Sequence, residues 1–389
     1  MTSNQEENIS FYQGNEKLET NKIELKISEL FSVKNVSFLF GAGTSAGAIP
    51  TMVKMQEKIT EQINTDPELS DIKDLYLKIK DNNLEKILGI LYAKNYYLEG
   101  VSESTNVVNK LINYIETQMF NKINVDIESD ASQKVLELYK LFYQKVALRN
   151  KDLSRVNIFT TNNDLFNERA LDNLNINFNN GFGGGLERVF NPARFQYTFS
   201  RKIDPNLEKF EPLENMVYLY KLHGSISWIE KDGNSLFNIH EVPIANGSKK
   251  AEDSHVLIYP TPLKQNQSLG SPYSDLIREF KTKLAQPNSV LFIIGYSFSD
   301  EHLNNIVYQS LASNSSISIV IFGEYPDCPL AKIKDNRIYR IFGTNTNSDK
   351  IHHFENIVKN ILPNTDENKE KTLLDEFVAA LASNEATED

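Results

Sequence analysis

Short runs rich in Val, Ile, Phe and Tyr recur along the chain, each bounded by turn-forming residues and lacking a 3.6-residue period. Runs of this kind are typical of buried strands. Helical patterns such as Ser274–Leu284 and Asp300–Ala312 separate several of them, and this alternation favours parallel strands joined by crossover helices. The predicted strands are Val36–Phe40, Val156–Thr160, Val217–Lys221, His255–Tyr259, Val290–Ile294 and Ile317–Phe322, with Ile338–Phe342 as a seventh. The predicted fold class is therefore α/β, a doubly wound, Rossmann-like parallel sheet of six to seven strands.

Two long segments interrupt the alternation. Residues 52–150 have almost no strand character and carry apolar residues at helical spacing, so we predict a helical insertion there. Its predicted helical segments are Met52–Ile63, Ile72–Tyr97, Val107–Ile123 and Gln133–Leu148. A second insertion, Asn173–Pro212, contains Gly181–Gly185 and many Asn and Phe residues, and is predicted to be irregular with some hairpin structure.

The domain prediction follows from these segments. We predict one domain over residues 1–363 and a charged C-terminal tail over residues 364–389, whose amphipathic piece Leu373–Leu381 forms a short helix. The tail is interpreted as a solvated segment with a docking helix, and the alternative is a segment that binds a partner.

Composition disfavours several classes of protein. Lys and Arg total 41 against 52 for Asp and Glu, and the net charge of −11 makes direct nucleic-acid binding unexpected, because a negative surface repels phosphate backbones. The first ten residues have no basic start and no apolar stretch, and no apolar run approaches the roughly 20 residues of a membrane helix. We therefore expect no secretory or mitochondrial signal, no membrane span and a cytoplasmic protein. The single Cys328 allows no internal disulfide and no cysteine-based zinc cluster.

The strongest local signal is the segment SFLFGAGTSAGAIP at Ser37–Pro50, where a predicted strand runs into a glycine-rich turn. Gly41 and Gly43 would let the backbone approach a pyrophosphate, and Thr44 and Ser45 add hydroxyl groups. The alternative is a tight turn without a ligand. The acidic residue that a dehydrogenase places about 20 positions later is missing, since that region is helical, so hydride transfer is disfavoured.

Three further polar clusters follow predicted strands, where open α/β sheets bind their ligands. The first is Thr160–Asp164, TTNND; the second places His223 after YLYKL; the third, GYSFSD, contains Gly295 and a helix cap at Ser299 or Asp300. Histidine is the side chain most readily poised as a base near neutral pH. Turn capping, a structural histidine and a plain capped helix are the respective alternatives.

These four clusters, taken in this order, resemble those of the sirtuin family over about Ser37–Glu324. The resemblance places Asn162 at the family's catalytic asparagine, Asp164 at its ribose-site aspartate and His223 at its general base. It also implies NAD as the bound molecule. The residues predicted to bind NAD are Gly41, Ala42, Gly43, Thr44, Ser45, Gly295, Tyr296, Ser297, Asp300 and Glu324.

The chain also departs from sirtuin deacylases. They carry four zinc-binding cysteines, so the helical insertion replaces the zinc module and no metal is expected; an overlooked site would involve His352 and His353. Thr51-Met52-Val53 replaces the family's Asp-Phe-Arg, and Glu324 replaces an Asn that contacts the adenosine ribose.

The motifs TTNND, KLHGSISW and GYSFSD, without a zinc ribbon, are similar to those of sirtuin-like NADases of bacterial antiphage defence, above all the component paired with a HerA-type ATPase. This resemblance implies hydrolysis of NAD to nicotinamide and ADP-ribose, a homo-oligomer and a HerA-like partner, with NAD depletion leading to abortive infection. Three alternatives remain open. The chain could be a zinc-free deacylase or ADP-ribosyl transferase, a non-catalytic NAD-binding or ADP-ribose-binding protein, or a structural subunit of a defence complex.

Overall fold

The computed structural model describes residues 8–81, 83–146, 153–204, 206–213, 215–231, 238–249 and 272–363. The strands in these residues are β1 (Asn8–Gln13), β2 (Glu16–Leu18), β3 (Asn35–Phe40), β4 (Val156–Thr160), β5 (Asn177–Asn179), β6 (Phe182–Gly183), β7 (Arg188–Phe190), β8 (Ser200–Asp204), β9 (Lys209–Pro212), β10 (Met216–Lys221), β11 (Trp228–Glu230), β12 (Ile239–Glu241), β13 (Ser289–Ile294), β14 (Ile317–Phe322) and β15 (Ile338–Thr344). The α-helices are α1 (Ile23–Phe31), α2 (Met52–Thr65), α3 (Ser70–Ile79), α4 (Leu84–Gly100), α5 (Asn106–Ile123), α6 (Asp130–Val146), α7 (Phe166–Asn173), α8 (Tyr273–Leu284), α9 (Glu301–Ser313), α10 (Pro329–Lys332) and α11 (Phe354–Asn356).

The main sheet has nine strands in the order β2-β1-β15-β14-β13-β3-β4-β10-β5. Its strands from β15 to β5 are parallel to their neighbours, whereas β1 is antiparallel to both β15 and β2. Both faces of the sheet are packed. Alternate residues of β13 show this, since Phe292 belongs to one hydrophobic core and Leu291 to another. The predicted α/β class with a Rossmann-like sheet is therefore confirmed, but the sheet is parallel-rich and not wholly parallel as predicted, because β1 and β2 are antiparallel at one edge.

The predicted count of six to seven strands is wrong, because the edges of the sheet were missed. At one edge, β1 reads NISFYQ and is mostly half-buried, so it lacks the aliphatic run that marks the central strands. It turns at Gly14, whose φ of 57° lies in the left-handed region, and pairs with the short β2. At the other edge, β5 has only three residues. The predicted strand His255–Tyr259 and the tail helix Leu373–Leu381 lie outside the described residues.

The helical insertion divides into two parts. Helices α2 to α5 form a hydrophobic core of their own, which includes Met55, Leu88 and Leu111. Helix α6 instead packs on the main sheet through residues such as Phe142. The predicted continuous helix Ile72–Tyr97 is broken into α3 and α4, because Asp81 and Asn83 accept backbone N–H groups in the manner of turn and cap residues.

The second insertion contains the predicted hairpin structure. Strands β6 and β7 join β12 and β11 in a small four-stranded sheet, and β8 pairs with β9 in an exposed hairpin. The insertion was predicted to begin at Asn173, but regular structure continues through its start, since α7 runs to that residue and β5 joins the main sheet. Among the described helices, none is both long and apolar enough to cross a membrane.

Candidate active site

Apart from Glu324, which follows β14, the predicted site residues follow the carboxyl ends of four adjacent strands, β13, β3, β4 and β10. All four run in parallel, so their carboxyl ends meet at one edge of the sheet. This is the edge at which open α/β sheets bind ligands. The loops after these strands contact one another, and the contacts decide what each predicted residue can do.

The glycine-rich loop after β3 packs directly against the loop after β13. The backbone N–H of Gly43 donates to the Gly295 carbonyl at 2.9 Å, and the N–H of Gly41 donates to Ile294 at 3.0 Å. A Cβ on Gly43 would lie 2.6 Å from the Gly295 Cα, and a Cβ on Gly41 would lie 2.4 Å from the Tyr296 Cα. Glycine is therefore needed here for the contact between the two loops, whereas the sequence analysis assigned it to an approaching pyrophosphate or to a tight turn without a ligand.

Asn162 ties the loop after β4 to the glycine-rich loop. Its Nδ2 donates to the Gly41 carbonyl at 3.1 Å and to Thr44 Oγ1 at 3.0 Å, and it lies 3.4 Å from Ser45 Oγ. The Asn162 side chain is buried, and so are Thr44 and Ser45. The structure thus brings together Asn162 and three of the residues predicted to bind NAD, Gly41, Thr44 and Ser45.

Tyr139 of α6 completes this cluster and was missed in the sequence analysis. Its hydroxyl lies 2.7 Å from Thr44 Oγ1 and 3.0 Å from Ser45 Oγ, and its ring stacks on Phe166. Burial raises the pKa of the Tyr139 hydroxyl, and the nearby Asp164 carboxylate raises it further, so the hydroxyl stays protonated. The only sequence signal was a tyrosine on the apolar stripe of a predicted helix, which by itself indicates core packing.

Asp164 lies beside the same hydroxyl cluster. One carboxylate oxygen accepts the backbone N–H of Phe166 at 3.1 Å, and the nearby Ser45 hydroxyl favours the charged form and so lowers the pKa of the carboxyl. Burial raises the pKa of Asp164, although the charge of Lys221 opposes the shift. Asp164 is therefore a buried carboxyl group that is held in place by the backbone at the start of α7.

Lys221, the last residue of β10, is a second residue that the sequence analysis missed. Its fully buried Nζ donates to Glu168 Oε1 and to Ser225 Oγ, each at 2.9 Å, and to the backbone carbonyl of Asp164. The ammonium group thereby joins the loop after β4, helix α7 and the loop that follows β10. The sequence does contain a signal for this role, because Lys221 ends a predicted buried strand of aromatic and aliphatic residues. Lysine is almost never fully buried unless it is paired, so its position predicts a charged partner.

His223 lies two residues after β10 and pairs with Asp300. The ring Nε2 is 2.9 Å from Asp300 Oδ2, and the side chains keep 12% and 27% of their exposure, so solvent reaches the pair only in part. Asn163 Nδ2 donates to the His223 carbonyl at 2.8 Å. The sequence analysis treated His223 and Asp300 as separate elements, a base and a helix cap, because 77 residues separate them.

The remaining residues that were predicted to bind NAD include one buried side chain, Tyr296, and several exposed residues. The Tyr296 side chain is buried, and its hydroxyl donates to the Asp300 carbonyl at 3.2 Å and to Asn304 Oδ1 at 3.1 Å, which is a packing role. Ala42, Ser297 and Glu324 are exposed at the same edge of the sheet, as is Gly43. They lie where a ligand can contact them. Within the described residues, no group of three or more His, Cys, Asp or Glu is placed to hold a metal ion.

Residues 156–340 match the family model of the SIR2-like domain. This segment includes Asn162, Asp164, His223 and Asp300, and the glycine-rich loop and the helical insertion precede it. No curated protein matches the chain significantly. The matched part of the chain is thus similar to SIR2-like domains, which are often NAD-dependent enzymes, and the similarity supports a sirtuin-like protein with NAD-related chemistry.

Proposed function

We propose that this chain is an NAD hydrolase, which cleaves the nicotinamide–ribose bond with water to give nicotinamide, ADP-ribose and a proton. The observation that carries the proposal is the meeting of Asn162, Asp164 and the His223–Asp300 pair at one edge of the sheet, within a segment similar to SIR2-like domains. An amide, a carboxylate and an imidazole are the groups that this reaction requires for orientation, charge stabilisation and proton acceptance.

The exposed residues at this edge offer a surface for a dinucleotide. Ala42 and Gly43 are exposed on the turn that covers the buried Thr44 and Ser45, and the pyrophosphate would lie over this turn. The exposed carboxylate of Glu324 lies after β14, beside β13, and would accept hydrogen bonds from the adenosine ribose hydroxyls. The tight packing of the glycine-rich loop also gives this surface a fixed shape.

Each catalytic group then has a defined task. Cleavage of the glycosidic bond leaves the electron pair on nicotinamide and builds positive charge on the ribose carbon. Asn162 orients the water or the ribose hydroxyls, and Asp164 contributes a buried negative charge, which is worth more in a site of low dielectric than in water. His223 accepts the proton from the attacking water, and its neutral form is therefore the active one.

The proposal extends to NAD depletion in antiphage defence, in the cytoplasm, by a homo-oligomer that works with a HerA-like ATPase. Its support is the similarity of TTNND, KLHGSISW and GYSFSD to defence NADases, together with a single cysteine in the chain. An unrestrained NADase would deplete its own cell, so we propose that assembly gates access to NAD or the placement of His223.

Nicotinamide release from NAD, measured by chromatography, tests the chemistry. His223→Ala and Asn162→Ala should each lower turnover by about 10²–10⁴-fold, the scale of a lost acid–base contribution. The matched control is His302→Ala, because His302 is exposed on the first turn of α9 and should be dispensable. Wild-type turnover in both site variants would contradict the assignment. Circular dichroism and thermal midpoints show whether the variants remain folded.

A further inference from the structure

We propose that Asp300 is a positioning residue, which fixes the ring orientation of His223 and decides which of its nitrogens carries the proton. This inference rests on the proposed NAD hydrolysis. The sequence analysis predicted that Asp300 binds NAD, and the positioning role proposed here is different. The evidence is the geometry of two hydrogen-bonding sites on one carboxylate.

The two oxygens of Asp300 have different partners. Oδ1 accepts the backbone N–H groups of His302 at 2.8 Å and Leu303 at 3.1 Å, which is the N-cap interaction at the start of α9. Oδ2 lies 2.9 Å from His223 Nε2. Because the helix end fixes the carboxylate through Oδ1, the direction of Oδ2 toward the imidazole is also fixed.

The chemistry of the two groups assigns the proton. An ionised carboxylate only accepts hydrogen bonds, so the neutral imidazole must donate through Nε2 and keep Nδ1 unprotonated. Burial raises the pKa of Asp300, but the hydrogen bonds from His223 and from the backbone N–H groups of Leu303 and His302 oppose this, and the pKa lies below its ordinary value. Asp300 therefore stays an acceptor at neutral pH and holds the ring proton of His223 on Nε2.

Asp300 also joins two distant parts of the sheet. His223 follows β10 and Asp300 follows the loop after β13, and β3 and β4 lie between these strands. The hydrogen bond consequently bridges over the loops that carry Thr44 and Asn162. Since Asn163 holds the His223 backbone through its carbonyl, the ring is restrained at the backbone and at Nε2.

Two substitutions separate this role from helix capping. Asp300→Asn keeps a good cap, but if its oxygen caps α9, its amide nitrogen faces His223 and donates, which moves the ring proton to Nδ1. Asp300→Ser also keeps a cap, but its side chain is shorter and loses the imidazole contact. Glu301→Gln is the matched control, because it removes the same charge from the next residue, whose side chain is exposed.

We expect Asp300→Asn and Asp300→Ser to lower kcat for NAD hydrolysis by about 10–100-fold, the scale found for groups that orient a ligating histidine, with little change in KM. Glu301→Gln should retain both constants. In ¹⁵N spectra of histidine-labelled protein above pH 8, His223 should carry its proton on Nε2 in the wild type and on Nδ1 in Asp300→Asn. His223→Gln assigns the resonances.

The spectrum separates failure of this inference from failure of the proposed function. A wild-type tautomer and kcat in Asp300→Asn, alongside inactive His223→Ala, would overturn the positioning role and leave the hydrolase proposal standing. If the wild type shows no NAD hydrolysis, the proposed function fails, and the tautomer change still decides whether Asp300 sets the proton position. Equal losses in Glu301→Gln and Asp300→Asn would overturn the inference in favour of a general effect of charge at the helix end.

Discussion

Lys221 Nζ lies 2.9 Å from Glu168 Oε1, and the lysine side chain is fully buried. The pair joins the end of β10 to helix α7, and the same ammonium group reaches the Asp164 carbonyl and the Ser225 hydroxyl. It therefore holds the loop that carries Asp164 beside the loop that carries His223. A buried charge that connects two loops is costly to disturb, because its partners lose their compensation.

Replacing Lys221 with Met should lower the free energy of unfolding by about 3–5 kcal/mol, since Glu168 would be left as a buried carboxylate without its cation. Urea denaturation measures the change. Lys110→Met is the control, because its ion pair with Asp71 is exposed to solvent and should contribute little to stability. The double variant Lys221→Met, Glu168→Gln should recover part of the loss. A loss no larger than that of Lys110→Met would contradict the structural role of this pair.

Gly43→Ala should destabilise the protein by about 1–3 kcal/mol, because the added methyl meets backbone atoms of Gly295 that cannot move aside cheaply. Gly89→Ala in α4 is the control. A Cβ on Gly89 meets nothing within 4 Å, so this change should stabilise the helix by about 0.5–1 kcal/mol. Thermal unfolding of both variants tests the difference. Equal thermal midpoints for Gly43→Ala and Gly89→Ala would contradict this prediction and show that the loops after β3 and β13 can move apart at little cost.

Asp164→Asn should gain stability relative to the wild type as the pH rises. Burial raises the folded-state pKa of Asp164 above the unfolded value of about 3.9. The stability that its protonated form contributes is thus fully present below pH ~3.9 and is lost as the pH rises through the folded pKa. Asparagine has no such titration, so the difference in thermal midpoint should favour Asp164→Asn increasingly as the pH rises above about 4, and it should level off above the folded-state pKa.

Asp349→Asn is the control, because Asp349 is exposed. Its thermal midpoint should differ from that of the wild type by the same amount at every pH. The same Asp164→Asn protein should hydrolyse NAD more slowly, because the site loses its buried negative charge. A midpoint difference that does not vary with pH would mean that hydrogen bonds, and not the charge of Asp164, dominate its contribution.

Self-association should depend on the exposed hairpin of β8 and β9. Ile203, Leu207 and Phe210 keep more than half of their exposure, at 57%, 51% and 59%, and an isolated two-stranded hairpin is marginally stable in water. We expect light scattering to give a homo-oligomer that Leu207→Ser, Phe210→Ser weakens. Leu25→Ser, an equally exposed position on α1, should have no effect. A wild-type monomer at micromolar concentration would contradict this prediction.

The main elements of the fold could be read from the sequence because buried strands and amphipathic helices have local signatures. The central strands β3, β4, β10, β13 and β14 were predicted to within a residue at each end. The edge strands β1 and β5 were not, because a half-buried or three-residue strand lacks a long apolar run. Helix α6 was predicted as a helix, but its periodicity does not say which core it packs against.

The sequence by itself determined which residue types follow the central strands, and so it identified Asn162, Asp164, His223 and Asp300 as candidates. Only the tertiary structure decided their partners. His223 and Asp300 are 77 residues apart, and Tyr139 and Thr44 are 95 residues apart, so no local pattern links either pair. The physical reason is that side-chain periodicity reports burial along one element, whereas a hydrogen bond between loops depends on strand order, which places β10, β4, β3 and β13 side by side.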